Sequence, residues 1–247
     1  MKIEAIILAA GKGTRMKSEL PKVLHEINGK PMLHWIIEAL LPVCDKINVV
    51  TGFGKDLVER YVAKNFEDVK FSYQQEQNGT GGAVKAALPD LSKDTSHVII
   101  CAGDTPLLKT ETFLRATDHF TRTGSDITVV STILPDAGHY GRIHRDENDD
   151  VAGIVEYLDA DESQLKIKEI NSGIYFIEKN LLVETVYKIS NNNNKREYYL
   201  TDIIKISKFL NRTVTAFIEE DHESLTGIND IEQLKKAEMI MKKRDSI

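Results

Sequence analysis

The feature that most constrains this chain is a rhythm. Through its first 136 residues, short apolar runs of strand length alternate with stretches of helical period. "EAIILAA", "INVVTG", "HVIICAGD" and "SDITVVSTIL" are the apolar runs, and their near-continuous hydrophobicity suits strands covered on both faces. Between them, "GKPMLHWIIEALL" sets Leu33, Ile36, Ile37 and Leu40 at i, i+3, i+4 and i+7, with Pro31 suited to the first helical turn. "KDLVERYVAK" is helical with Leu57, Val58, Tyr61 and Val62 inward. "VKFSYQQ" alternates like a strand, "GTGGAVKAAL" opens a helix from a glycine-rich turn, and "TETFLRATDHF" is helical. Strand and helix in repeated alternation predict an α/β fold: a Rossmann-like, doubly wound, mostly parallel sheet with helices on both faces.

From Ala137 the rhythm changes. "YGRIHRDENDDVAGIVEYLDA" reads as two short strands around a polar turn, "IKEINSGIYFIE" as a strand, and "LLVETVYKI" and "YYLTDIIKISKFL" as helices. "TVTAFI" is a further strand and "DIEQLKKAEMIMKK" a last helix. The expected organisation is one domain over residues 1–247: a nucleotide-binding half (1–136), an α+β lobe on the substrate side (137–230) and a C-terminal helix (231–247). The run Asn191–Asn194 is expected to be an exposed loop.

Composition narrows the partners. A chain of 247 residues with 41% hydrophobic content supports a full core. A net charge of -6 argues against a nucleic-acid partner, so an anionic ligand must be met by a local cluster of Lys and Arg. Cys44 and Cys101 lack metal-type spacing and are not expected to pair, which fits a reducing, cytoplasmic setting. Near the N-terminus Glu4 interrupts an apolar stretch that ends at Ala10, too short for a signal peptide. No run approaches the roughly 18 apolar residues of a membrane span, so no membrane partner is expected.

In open α/β sheets ligands sit at the carboxyl ends of strands. Three stretches occupy such ends: "LAAGKGTRM", "QQEQNGTGGA" and "CAGDTPL". The first is neither a P-loop, lacking Gly-Lys-Ser/Thr, nor the dinucleotide fingerprint, since Met16 stands where a third glycine is required. Gly11 and Gly13 still let backbone N–H groups approach phosphates, and Arg15 and Lys22 add two cations beyond them. The same residues also read as a solvated turn, and Lys12 and Lys17 as surface charges. Asp104, at a strand end, suits Mg²⁺, which takes hard oxygens from one or two side chains plus substrate phosphates; it equally suits a turn or a helix cap. Gln74 presents both a donor and an acceptor to a nucleobase edge, and Thr80 alternatively caps a helix. No Ser/His/Asp or Cys/His arrangement supports covalent catalysis, and His25, His34 and His144 carry no role.

In order along the chain, "LAAGKGTRM", "LPKVL", "QQEQNGTG", "AGDTPLL", "YGRI", "IVEYLDA", "EINSGIY", "NNNNKREYYLTDII" and "GIND" resemble the uridylyltransferase (pyrophosphorylase) domain of the bacterial bifunctional enzyme that makes UDP-N-acetylglucosamine. The resemblance runs from Ile6 to about Lys236. It implies a reaction: UTP plus N-acetylglucosamine 1-phosphate gives UDP-N-acetylglucosamine and pyrophosphate, with Mg²⁺ as cofactor and a place in cell-wall biogenesis. By resemblance, Leu8, Ala9, Ala10 and Gly11 hold the nucleotide through the backbone, and Arg15 and Lys22 contact phosphates. Gln74, Gly79 and Thr80 read uracil, and Ala102 and Gly103 line the nucleotide side. Asp104 and Asn229 bind the metal, and Gly141, Glu156, Asn171 and Asn229 meet the sugar. Read without it, Gly141 is a turn glycine, Glu156 a surface strand residue, and Asn171 and Asn229 caps.

Three positions depart from the family pattern: Gly82 replaces a histidine, Leu158 a lysine and Ile231 an arginine. The family's usual enzyme continues into a left-handed β-helix that acetylates glucosamine 1-phosphate and builds a trimer. This sequence carries no hexapeptide-type repeats, so that step is not expected of it, and a monomer or weak oligomer is. Two further readings stay open: another hexose 1-phosphate or dTTP as substrate, and a nucleotide-sugar-binding module without turnover.

Overall fold

A computed structural model describes residues 1–244; residues 245–247, the end of the expected C-terminal helix, lie outside the described residues. In chain order the elements are β1 (Ile3–Leu8), β2 (Glu26–Ile27), β3 (Lys30–Pro31), α1 (Met32–Leu40), β4 (Lys46–Thr51), α2 (Lys55–Asn65), β5 (Val69–Tyr73), α3 (Thr80–Ala87), β6 (His97–Ala102), α4 (Thr110–Thr123) and β7 (Ile127–Ile133). There follow β8 (Arg142–Arg145), β9 (Val151–Val155), β10 (Glu169–Glu178), α5 (Lys179–Val186), α6 (Asp202–Phe209), β11 (Val214–Ile218) and α7 (Ile231–Arg244). The main sheet runs β11-β7-β10-β6-β1-β4-β5, with β8 and β9 branching from β10. Along that path neighbours pair in parallel except β10, which is antiparallel to β6 and β7; β8 is antiparallel to both β10 and β9. Among the described residues no helix is long and apolar enough to cross a membrane.

The apolar runs form central strands because both of their faces are covered. Along β1, Ile3, Ala5 and Ile7 join one core layer with Leu33, Ile36, Val58 and Phe113 from α1, α2 and α4. Ile6 joins the other, with Val84, Leu182 and Ile203 from α3, α5 and α6. Alternate residues of one strand thus bury against different helix layers, which is double winding expressed in side chains. Cys44 and Cys101 are unpaired. Burial pushes the Cys44 thiol up to about 12, helped by the nearby carboxylates of Asp45 and Glu4.

Local differences from the sequence reading have physical causes. Leu57 is 44% exposed rather than inward. Strand β5 ends the sheet, so α2 meets a narrow strip of it and buries only the i, i+4 pair Val58 and Val62. Pro31 ends β3, pairing with Glu26, and so precedes α1 instead of lying in its first turn. The helix expected from Tyr198 begins at Asp202, because residues 198–200 are bonded to another loop, described below. In β10 the register shifts between Asn171 and Ile174, a bulge centred on Ser172 and Gly173.

Strand β1 is where the winding reverses, with β6 on one side and β4 on the other. Past its end, Ala9 donates from its backbone N–H to Val50 at 2.9 Å, and Gly103 donates to the Leu8 carbonyl at 2.9 Å. The loops after β1 and β6 are therefore held edge to edge at the switch point, where open α/β sheets open a crevice.

Candidate active site

One end of that crevice is charged. The loop after β1 turns through Gly13, whose φ of 62° lies in the left-handed region; a Cβ there would also stand 2.5 Å from Cβ of Lys22. Glycine at 13 therefore lets Lys22 fold back along the loop. The Lys22 Nζ donates to the Asp104 carboxylate and, at 2.7 Å, to Asn229 Oδ1. Arg15 donates to the same Asn229 oxygen at 2.8 Å. A cavity of about 260 Å³ is lined by Leu8, Ala9, Gly11, Gly13, Arg15, Lys22 and Asp104, among others. A Cβ added to Gly11 would meet no protein atom, so its open face is turned to the crevice.

Asp104 does occupy a turn, with its carboxylate engaged by Lys22, whereas Asn229 is not a helix cap. Asp104 sits in the turn after β6, its backbone carbonyl accepting from Ile228 at 2.9 Å. The cap of α7 is Asp230, which accepts from the Gln233 N–H at 2.8 Å, while Gln233 Oε1 reaches back to the Asn229 N–H at 2.6 Å. This reciprocal pair is close to a capping box and fixes the segment that carries Asn229. Two hard oxygens, one anionic, thus converge on a single cation, the Lys22 ammonium. That donor set fits a hard divalent ion whose remaining ligands are phosphate oxygens and water. Among the described residues no cluster of three or more His, Cys, Asp or Glu would hold a metal unaided.

The other end of the crevice brings amides and a hydroxyl together with a few charged side chains. A cavity of about 380 Å³ is lined by Leu8, Ala10, Gly11, Lys12, Gln74, Gln77, Gly79, Thr80, Ala83, Ala102, Asp104 and Glu197. It shares Leu8, Gly11 and Asp104 with the charged cavity, so the two adjoin. Gly103 lies between them in sequence, buried against Val23 and Leu33. Thr80 does not cap α3: its hydroxyl accepts from the Leu200 N–H at 3.0 Å. Tyr198 donates to the Asn78 carbonyl at 2.8 Å and accepts from Gly81 at 2.7 Å, so residues 198–200 are laced onto the glycine-rich loop. Gln74 does not offer both functions of its amide. Its Nε2 is spent on Asn78 Oδ1 at 3.2 Å and the Gly79 carbonyl at 3.1 Å.

Gly141, Glu156 and Asn171 form a third group. The Gly141 carbonyl accepts from the Asn171 N–H at 2.9 Å, and a Cβ on Gly141 would lie 3.7 Å from Cδ of Glu156. Asn171, re-aimed by the β10 bulge, donates from Nδ2 to the Tyr175 hydroxyl at 2.7 Å and accepts from Gly173 at 3.0 Å. Glu156 lies just past β9 and is half-buried. Burial raises its carboxyl above the ordinary range, against a lowering by the Thr201 hydroxyl, which donates to it at 3.1 Å. Asn229 stands with Asp104 rather than with these three. Tyr140 links the two groups, since it precedes Gly141 and its hydroxyl accepts from the Gly227 N–H at 3.3 Å.

Several residues here escaped the sequence reading. Lys12, exposed as expected, also lines the cavity that holds Gln74, as does Glu197. Lys17 is exposed. Gln233 was legible only as Asp230-x-x-Gln233, a capping-box spacing. The Asn run is the exposed loop expected, and it is tied down: Asn194 donates to the Leu158 carbonyl at 2.7 Å and to Asp159 at 2.8 Å, and Asn193 to the Glu197 carbonyl at 2.6 Å. Leu158 and Ile231, two of the family departures, are exposed at 53% and 41%.

Residues 5–145 match the MobA-like NTP transferase domain family. The Bifunctional protein GlmU of Oceanobacillus iheyensis is 42% identical over 242 residues, 97% of this chain and 52% of that protein. The Bifunctional protein GlmU of Clostridium beijerinckii is 44% identical over 242 residues, again 97% and 52%. The chain spans about half the length of these curated relatives. Among solved structures, apo UDP-glucose pyrophosphorylase superposes with a TM-score of 0.77 at 17% identity, covering 99% of this chain and 100% of the other. The 4-diphosphocytidyl-2C-methyl-D-erythritol synthase of Anaerococcus prevotii gives 0.69 at 17% identity, covering 98% of each. At that identity the two structures speak for the fold alone.

Proposed function

This chain belongs to the MobA-like NTP transferase family, and on that premise we propose that it transfers UMP from UTP to N-acetylglucosamine 1-phosphate, releasing pyrophosphate. The observation that carries the reading is the convergence of Arg15, Lys22, Asp104 and Asn229 at one end of a crevice whose other end is lined by Gln74, Gly79 and Thr80. A triphosphate laid along it puts its charge beside the cations and its base beside the amides. Relatives named as GlmU, at 42% and 44% identity, support the choice of sugar.

The sugar phosphate oxygen attacks the α-phosphorus; a new P–O bond forms as the bond to the α,β-bridging oxygen breaks, and pyrophosphate departs with that electron pair. The nucleophile is already anionic, so no general base is required, and the work is positioning and charge neutralisation. The backbone from Leu8 to Gly11, with Gly13, holds the phosphates. Arg15 offers a planar fork to their oxygens and Lys22 a point charge. Ala102 and Gly103 close the floor on the nucleoside side. Gly141, Glu156 and Asn171 receive the sugar. Asp104 and Asn229 would hold Mg²⁺, which supplies further neutralisation of the triphosphate as a Lewis acid. Release of pyrophosphate from UTP is expected only with both Mg²⁺ and N-acetylglucosamine 1-phosphate. A screen of four nucleotides against four sugar phosphates tests this, and no turnover with any hexose 1-phosphate would sink the assignment.

A further inference from the structure

Gly82 stands where the family resemblance leads one to expect a histidine, and its surroundings show what a glycine there admits. A Cβ on Gly82 would sit 1.7 Å from Oδ1 of Asn78 and 3.1 Å from Nε2 of Gln74. The space beside Gly82 is therefore filled by the Asn78 side chain. Asn78 is itself pinned by its backbone, its carbonyl accepting from Tyr198 at 2.8 Å and its N–H donating to the Glu76 carbonyl at 2.8 Å. From there its Oδ1 accepts from Gln74 Nε2 at 3.2 Å.

The orientation of both amides follows from a group that cannot be flipped. The Gln74 amide atom 3.1 Å from the Gly79 carbonyl faces a backbone acceptor, so it is nitrogen. The Asn78 atom that meets this nitrogen must then be oxygen. Both N–H groups of Gln74 have a protein acceptor, and its Oε1 is what remains for the cavity.

We propose that Asn78, admitted by Gly82, is a positioning residue that locks Gln74 as a pure acceptor and so sets the base preference of the crevice. The inference rests on Gln74 being the base-facing group. An acceptor there is matched by the ring N–H of uracil or thymine. The bare ring nitrogen of cytosine would oppose it, lone pair against lone pair. Neither Asn78 nor Gly82 lines the cavity, so both act through Gln74.

Calorimetry of UTP and CTP binding in Mg²⁺, without sugar phosphate, reads this independently of turnover. Asn78→Leu removes one of the two acceptors that hold the Gln74 amide nitrogen, frees that N–H and leaves only the Gly79 carbonyl to oppose rotation. The ratio of CTP to UTP dissociation constants should fall about tenfold or more. Gly82→Ala, whose Cβ displaces the Asn78 oxygen, should move the ratio in the same direction and decides the matter if the leucine variant does not fold. Asn78→Asp keeps an acceptor in place and should hold the ratio within about twofold of wild type. A wild-type ratio in the folded leucine or alanine variant overturns the proposal, as does an aspartate variant that shifts as far as the leucine one. A wild-type chain that binds neither nucleotide overturns the underlying site assignment instead.

Discussion

The two ends of the crevice are built by opposite means. At the proposed phosphate end, two cations, a carboxylate and an amide converge from distant points: Arg15 and Lys22 from the first loop, Asp104 from the turn after β6, and Asn229 from the approach to α7. At the base end, short polar groups are fixed by backbone, with Asn78, Thr80 and Gly81 each bonded to residues 198–200. Charge acts over distance and tolerates play in a side chain, whereas reading a base edge requires an amide held in one orientation. The phosphate end should therefore govern rate, and the base end affinity and choice.

The largest effects should come from the phosphate end. Lys22→Ala and Asp104→Ala are each expected to lower kcat by roughly 10²–10³, the usual cost of one preorganised electrostatic contact. Near wild-type turnover in both would break the contrast. Next, Gln74→Leu should raise the KM for UTP about tenfold while leaving kcat within a few-fold, since it removes binding common to ground and transition states. A fall in kcat as deep as that of Lys22→Ala would show that the two ends are not separable. Gln233→Ala, which releases the backbone of Asn229, should raise the Mg²⁺ concentration needed for half-maximal rate about tenfold, as loss of an outer support does in metal sites.

A smaller, pH-dependent effect separates Glu156 from both ends. Burial raises its carboxyl in the folded chain, so the folded state disfavours its charged form. Its stabilising share is complete below the ordinary carboxylate range and is lost as pH rises through the raised value. Glu156→Gln should thus raise Tm increasingly as pH climbs above the ordinary carboxylate range and leave it nearly unchanged in acid below that range. The smallest expected effect is at Cys44. A thiol pushed up to about 12 stays protonated at neutral pH, so alkylating reagents should leave the native chain unmodified.

The doubly wound sheet was legible because each buried strand is an apolar run and each covering helix carries its own stripe, both local properties of sequence. Leu57 was misread because burial at a sheet edge depends on how much sheet a helix meets, which no period encodes. The loops around Gly11, Gln74 and Asp104 were legible as neighbours, because strand ends at a switch point must share a crevice. What escaped was side-chain commitment. Nothing in "QQEQNGTGGA" says that the donors of Gln74 are already spent, since one acceptor is the Gly79 carbonyl and the other a side chain that only Gly82 admits. Likewise the turn at Tyr198–Thr201 carries helical periodicity and was overruled by bonds to residues about 120 positions away.

Those separations have a consequence in time. The Arg15–Asn229 and Lys22–Asn229 bonds close loops of 214 and 207 residues, and Leu200 meets Thr80 across 120. A chain emerging from the ribosome N-terminus first, at roughly 5–20 residues per second, has the strands of β1, β4 and β6 many seconds before it has Asn229. The proposed triphosphate cradle thus closes only after the strands that carry its cations have been made. Until then, its cations sit on a scaffold already able to fold, with no partner from the C-terminal side to gather them.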